Sequence, residues 1–214
     1  MIVVPCQQHT EDWVRARLGI VTASGAKALL TPGTLKPSAQ ASAYMARLVA
    51  ETLTGEPIEE EGSDVMDRGT GMEPQAHKWY EAVKDVKVDE VGFITDDSGR
   101  IGCSPDGVIS GIKGLEIKCP LAHTHVAYAM DPDALVAKYK AQVQFSLYVT
   151  GFESWDLLSY SPVMDPVLVT VNPDAEYRKA LVPVLTKFLA DMDAALAKMR
   201  PAVTARRDAN PFLT

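Results

Sequence analysis

Ser104-Pro105-Asp106-Gly107, followed after a further eight residues by Glu116-Ile117-Lys118, decides how this chain is read. Gly102, Gly107, Gly111 and Gly114 punctuate apolar pieces too short for helices, so residues 101–118 are predicted to form two strands joined by a turn at Gly111 to Gly114. Side chains two apart on a strand share a face. Glu116 and Lys118 therefore point one way, while Leu115 and Ile117 point the other, into a core. Folding back at the turn brings Asp106 opposite Glu116 and Lys118. Two neighbouring carboxylates repel unless a proton or a cation compensates them. A hard divalent ion held through oxygen, Mg²⁺ with Mn²⁺ as its substitute, is the natural compensation. The main-chain carbonyl of Ile117 is available as a further ligand. Such an ion can bridge a phosphate, lower the pKa of bound water and offset charge on a leaving oxygen. Lys118 would hold or help deprotonate the attacking water and stabilise the transition state.

An isolated Asp-x-Gly or Glu-x-Lys is usually an exposed turn and a solvated strand face, so the remaining chain must discriminate. Helical spacing and stop signals predict helices over Glu11–Arg17, Val21–Leu30 (capped near Thr22 or Ser24), Ala39–Leu53, Val65–Val83, Ala134–Thr150 and Asp174–Met199. Strands are expected over Val86–Ile94, Arg100–Ile109, Leu115–Lys118, Ser154–Tyr160 and Val167–Val171, an acidic loop over Glu56–Asp64 and a loose tail from Pro201 to Thr214. This order suits a single α/β domain spanning 1–214, with a mixed central β-sheet flanked by helices.

Composition narrows the function classes. The 214 residues are 47% hydrophobic and 23% charged, enough for one domain with a substantial core. A formal charge of −7 argues against a protein that coats nucleic acid through many phosphate contacts, although a local basic patch stays open. Cys6, Cys103 and Cys119 include no CxxC pair, which excludes a disulfide framework and a four-cysteine metal site and fits a reducing cytoplasm. Cys103 and Cys119 are expected to pack as small apolar side chains across the hairpin. Met1 to Gln8 has no leader pattern and no segment reaches the length of a membrane span, so no membrane partner is expected.

Four blocks carry a resemblance. They are Trp13 with Arg17-Leu18-Gly19-Ile20-Val21-Thr22-Ala23-Ser24, then Gly69-Thr70-Gly71-Met72-Glu73, then Cys103-Ser104-Pro105-Asp106-Gly107 with Gly114-Leu115-Glu116-Ile117-Lys118-Cys119-Pro120, and Tyr139-Lys140-Ala141-Gln142-Val143-Gln144-Phe145-Ser146. In order and spacing they resemble the PD-(D/E)XK nucleases, in particular the YqaJ-type viral recombinase family typified by phage lambda exonuclease. The resemblance implies a restriction-endonuclease-like core and an alkaline, Mg²⁺-dependent exonuclease using one or two ions per site. That enzyme would engage double-stranded DNA ends and degrade one strand 5′ to 3′ to 5′-mononucleotides, leaving 3′ overhangs for recombination. It further implies a ring-shaped homotrimer, a single-strand annealing recombinase as partner, and a phage or prophage protein in the cytoplasm of a bacterial host.

Residue by residue, Glu73 matches the family's upstream acidic residue, which contacts the metal directly or through water. Arg17, Ser24, Ser104 and Gln142 match its 5′-phosphate pocket, where an Arg fork and neutral donors would suit a terminal dianion. Tyr139, three residues before Gln142 on one helix, would frame the terminal nucleotide or orient the glutamine, whereas Gln144 points elsewhere. His77 reads as a partly buried structural histidine. His123 and His125 lack complementary ligand spacing, so a loop or substrate-facing role is expected for them instead of zinc binding. The segments 31–38, 56–64 and 121–133 depart from the family pattern. Two alternatives remain open, a restriction or repair endonuclease of the same fold and a catalytically inactive clamp that binds DNA ends.

Overall fold

A computed structural model describes residues 1–31, 33–58 and 64–209, excepting the side chains of 64–70 and 201–209. The expected acidic loop therefore lies largely outside the described residues, as does the chain beyond Ala209. Two four-stranded mixed sheets replace the one central sheet expected. The first runs β1 (Ile2–Val4), β5 (Phe93–Thr95), β6 (Ile101–Cys103), β2 (Val21–Thr22), and the second β10 (Val167–Val171), β9 (Ser154–Ser159), β8 (Lys113–Lys118), β7 (Gly107–Ile109). A short hairpin, β3 (Leu30–Thr31) with β4 (Lys36–Pro37), stands apart. Among the described residues only β2 with β6 and β8 with β9 pair in parallel.

The division has a local cause. β6 and β7 belong to one run of chain, but Pro105 between them has no N–H to give a ladder. The adjacent run lapses at the same level. Residues 86–92, expected to be strand, pair only through an isolated bridge of Asp89 with Val108 before β5 joins the first sheet at Phe93. Gly92 is squeezed there against the carbonyl of Cys6, which a Cβ would meet at 2.0 Å.

Among the described residues six α-helices surround the sheets: α1 (Glu11–Arg17), α2 (Ala41–Thr54), α3 (Asp64–Lys84), α4 (Ala122–Met130), α5 (Pro132–Thr150) and α6 (Ala175–Ala209). The helix expected over Val21–Leu30 is instead β2 and a 3₁₀ turn, Ala23–Ala28. β-branched Val21 and Thr22 favour the strand, and Gly25 lies under the Tyr44 ring, whose hydroxyl oxygen a Cβ would approach at 2.2 Å. The tail is also corrected, because α6 continues through Pro201 to Ala209. Ala202, Ala205, Arg206 and Arg207 are good helix formers, and the ladder bond that Pro201 cannot make is the local cost of the continuation. α2 stops where predicted, at Gly55 in the left-handed region with φ 73°.

α5 is buried on nearly every side and packs on both sheets, as a helix without a consistent polar face must. Leu135, Phe145 and Leu147 join Leu181 and Leu185 of α6 in the main core. A smaller cluster sets Ala76 and Tyr80 of α3 against Leu115 and Ile117 of β8, the two side chains expected to point inward. Gln144 does face away from the hairpin: its amide donates to the carbonyl of Asn172 and its oxygen accepts from the N–H of Asp174, fixing the entry to α6.

One buried charge holds α3 to the second sheet. Asp156 is fully buried and accepts from the hydroxyls of Tyr80 and Thr170, each at 2.6 Å, with the Lys113 ammonium at 3.4 Å. Removing one donor from a buried carboxylate is costly. Tyr80→Phe is expected to lower unfolding stability by about 1.5–3 kcal/mol, and Asp156→Ala, which strands Lys113, by about 3–5 kcal/mol. Urea melts with an unchanged slope and a lower midpoint would register both losses.

Candidate active site

The hairpin register places Gly107 opposite Leu115, so Asp106 and Glu116 face each other where β7 begins. Asp106 donates its N–H to the carbonyl of Leu115 at 3.0 Å, and its Oδ2 accepts from the N–H of Ile117 at 2.5 Å. Glu116 is only 2% exposed. Its Oε1 takes both the Lys118 ammonium and the Gln142 amide at 2.5 Å. Lys118 also lies 5.1 Å from the ring centre of Tyr139. Tyr139 and Gln142, both on α5, thus reach the same carboxylate–ammonium pair. Glu73, half-buried on α3, lines a cleft of about 340 Å³ together with Asp106, His77 and Gln8.

Three acidic groups here are balanced by one ammonium. Burial pushes the Asp106 carboxyl up to about 6 and that of Glu116 up to about 7, although Lys118 pulls both back down. Burial likewise raises Glu73. Burial works against the Lys118 ammonium, yet the Glu116 and Asp106 carboxylates outweigh it and hold Lys118 above its usual range. Full ionisation of the three carboxyls would therefore leave net negative charge beside one ammonium, which a proton or a cation must offset.

The donors present suit a hard cation. The described hydrogen bonds engage Oδ2 of Asp106 and Oε1 of Glu116, leaving the second oxygen of each carboxylate without a donor among the described residues. The carbonyl of Lys118 accepts from Tyr160 on the β9 side. Successive peptide groups alternate direction along a strand, so the Ile117 carbonyl faces the opposite side, toward Asp106. No group of three or more His, Cys, Asp or Glu side chains among the described residues could hold an ion alone. The fit consequently rests on two carboxylates plus a main-chain oxygen, with Glu73 close enough to couple electrostatically to Glu116.

A second cluster lies across Pro105. Arg17 donates to the Ser104 hydroxyl at 2.8 Å and to the Ser24 hydroxyl at 3.4 Å. Its guanidinium sits 4.2 Å over the Trp13 ring, an arrangement that orients the planar head. No carboxylate pairs with Arg17 among the described residues. Arg17, Ser24 and Ser104 therefore come together as expected, while Gln142 and Tyr139 stand with Glu116 and Lys118, not in that cluster.

His125 needs correction. It is fully buried in α4, against the Ser159 hydroxyl at 2.8 Å and the Asp165 carbonyl at 3.1 Å, so it is neither in a loop nor facing substrate. His123 is exposed on the same helix, and His77 borders the cleft. Cys103 and Cys119 are both buried but belong to different clusters and do not pack against each other across the hairpin. Sequence reading also missed two donors from the N-terminal segment. Trp13 Nε1 bridges the Gly92 carbonyl at 3.1 Å and the Ser104 hydroxyl at 2.9 Å. Gln8 Nε2 bridges the carbonyls of Val91 at 3.0 Å and Pro105 at 2.7 Å. Trp13 opens one of the recognised blocks; Gln8 carries no local signal.

With known proteins, a family model described as the YqaJ-like viral recombinase domain matches residues 12–153. An alkaline exonuclease (LHK-Exo) from Laribacter hongkongensis is similar at 28% identity with a TM-score of 0.77, over 92% of this chain and 99% of that one. Its complex with dAMP gives 29% identity and a TM-score of 0.78 over the same shares. A phage-related exonuclease from Haemophilus somnus 129PT shares the fold, at 14% identity and a TM-score of 0.64, over 84% of this chain and 96% of that one. No curated protein matches. No helix among the described residues is long and apolar enough to cross a membrane.

The raised carboxyls have a thermodynamic signature. Both sit above their unfolded values, so between about pH 4 and 7 the native state keeps protons that the unfolded chain has released. Stability from this pair is present at the acid end and is lost as pH rises through 6 to 7. Metal-free protein is expected to show a downward stability slope across that window in denaturant titrations, and Glu116→Gln is expected to flatten it.

Proposed function

The chain belongs to the YqaJ-like viral recombinase domain family, and on that premise we propose that it is a Mg²⁺-dependent exonuclease of the PD-(D/E)XK type. It acts on duplex DNA ends, degrading one strand from a 5′-phosphate in the 5′ to 3′ direction to 5′-mononucleotides. The observation that supports this most is the pairing of two unlike sites across one proline. On one side Arg17, with no carboxylate partner among the described residues, offers donors for an anion together with Ser24 and Ser104; on the other, acidic oxygens and a lysine converge. Similarity to an alkaline exonuclease over nearly the whole chain supports the same activity.

In this reading Arg17, Ser24 and Ser104 grip the terminal phosphate and set the end in register. Asp106, Glu116 and the Ile117 carbonyl would hold Mg²⁺ or Mn²⁺, with Glu73 contributing directly or through water. When bound, the ion supplies Lewis-acid stabilisation of the phosphate and a lowered pKa for its water. Lys118, kept protonated by Glu116, donates toward the developing charge at the reacting phosphate. Gln142 and Tyr139 fix the Glu116–Lys118 pair from α5. By the family resemblance we extend the proposal to a homotrimeric ring, a single-strand annealing recombinase as partner, and a role in phage recombination within a bacterial cytoplasm.

Digestion of end-labelled linear duplex tests it. Label at the 5′ end is expected to be released first as mononucleotide, and chelator to stop release. Preferential 3′ release, or cutting of supercoiled circles without preference for 5′-phosphorylated ends, would replace this reading with another nuclease. Absence of hydrolysis with either Mg²⁺ or Mn²⁺ would leave an end-binding clamp. Asp106→Ala and Glu116→Ala are expected to abolish cleavage with DNA binding kept. Lys118→Ala should slow turnover about 10²–10³-fold with metal binding kept. Arg17→Ala should narrow the rate difference between 5′-phosphate and 5′-hydroxyl ends.

A further inference from the structure

Between the two sheets, backbone pairing lapses. The β5–β6 ladder ends at Ile94 with Cys103, and the adjacent strand segment next pairs only where Asp89 meets Val108. Across this gap run residues 91–92 on one side and Ser104-Pro105 on the other. Two side-chain N–H groups from the N-terminal segment span it. Trp13 takes Gly92 and Ser104, on the side of the Arg17 cluster. Gln8 takes Val91 and Pro105, on the side of the acidic cleft that it helps to line.

We propose that Gln8 is a positioning residue for the metal centre, its amide clamping the Pro105 peptide so that the following residue, Asp106, presents its carboxylate toward Glu116 and the Ile117 carbonyl. The inference rests on the metal-dependent reading above. Its geometry is specific. Pro105 has no N–H, so the 104–105 peptide cannot donate to any neighbour, and the Pro105 carbonyl is tied by Gln8 at 2.7 Å. On the other side Asp106 is tied to β8 through the Leu115 carbonyl and the Ile117 N–H. Asp106 is thus tensioned between β8 and Gln8. Releasing Gln8 frees the corner to swing about its attachment to β8 without disturbing either sheet. The described hydrogen bonds of Gln8 go to Val91 and Pro105 and to no member of the Arg17 cluster nor to Lys118, so its effect should fall on the ion and on turnover, not on capture of the end.

Gln8→Met keeps length and neutrality but removes both N–H donors. Mn²⁺ titrations of DNA-free protein, by calorimetry or electron paramagnetic resonance, are expected to show affinity weakened about 10-fold, the scale found when groups orienting metal ligands are removed. At saturating metal, kcat is expected to fall by a similar factor, with KM for 5′-phosphorylated ends unchanged and the metal-free protein still melting cooperatively, only a few degrees lower, as two lost neutral hydrogen bonds require. Trp13→Phe, which removes the companion bridge, is expected to raise KM for such ends while leaving Mn²⁺ affinity alone. Unchanged Mn²⁺ affinity in Gln8→Met would overturn the proposal, as would weakened affinity matched by an equal collapse in thermal stability. Wild-type protein that binds Mn²⁺ without hydrolysing DNA would defeat the nuclease reading while the Gln8 titration still stands. Wild-type protein that binds no Mn²⁺ would defeat the positioning role.

Discussion

A single absent hydrogen-bond donor organises this molecule. Pro105 interrupts what would otherwise be one continuous strand from Ile101 to Ile109, and the chain on either side is drawn into a different sheet. A proline inside a ladder is ordinarily confined to edges and breaks. Here the break is placed where side chains from the N-terminal segment bridge the two sheets, and the two charged clusters occupy its two banks. The hydroxyl of Ser104 serves one and the carboxylate of Asp106 the other. Neither cluster could be displaced without remaking the corner.

The acidic bank is expensive to maintain. Glu116 is buried beside Asp106, and one ammonium cannot offset the pair together with Glu73. Folding tolerates this because the surroundings are rigid and well satisfied: β8 is flanked on both sides, Gln142 and Lys118 both reach Glu116, and Asp156 anchors α3 below Glu73. Strain of this electrostatic kind characterises sites built to receive something of opposite charge. The other bank has the reverse imbalance, with Arg17 stacked and, among the described residues, hydrogen-bonded to neutral partners only.

Much of this was legible in the chain because it is local. The hairpin from Gly107 to Lys118 is announced by its glycines and by alternation, and it alone brings Asp106, Glu116 and Lys118 together. α2 and α5 were equally plain, since glycine ends each in the left-handed region. What escaped was non-local. β1 gains its identity from β5, 91 residues away in the pairing of Val3 with Ile94, and the Gln8 bridge spans 83 and 97 residues. The 3₁₀ turn at Ala23–Ala28 defeated a helical reading because Tyr44, from α2, dictates how closely Gly25 may pack. His125 was expected in a loop or facing substrate and is core because β9 supplies Ser159 beneath it.

The corner also limits a length. Ser104 and Asp106 are separated by one residue, so their attachment points lie at most about 7 Å apart, no more than the reach of one nucleotide along a strand. On the proposed reading, covalent geometry therefore caps how far the backbone of the end-gripping hydroxyl can stand from that of the metal-side carboxylate. Lengthening the stretch by a single residue would alter that limit as well as the site.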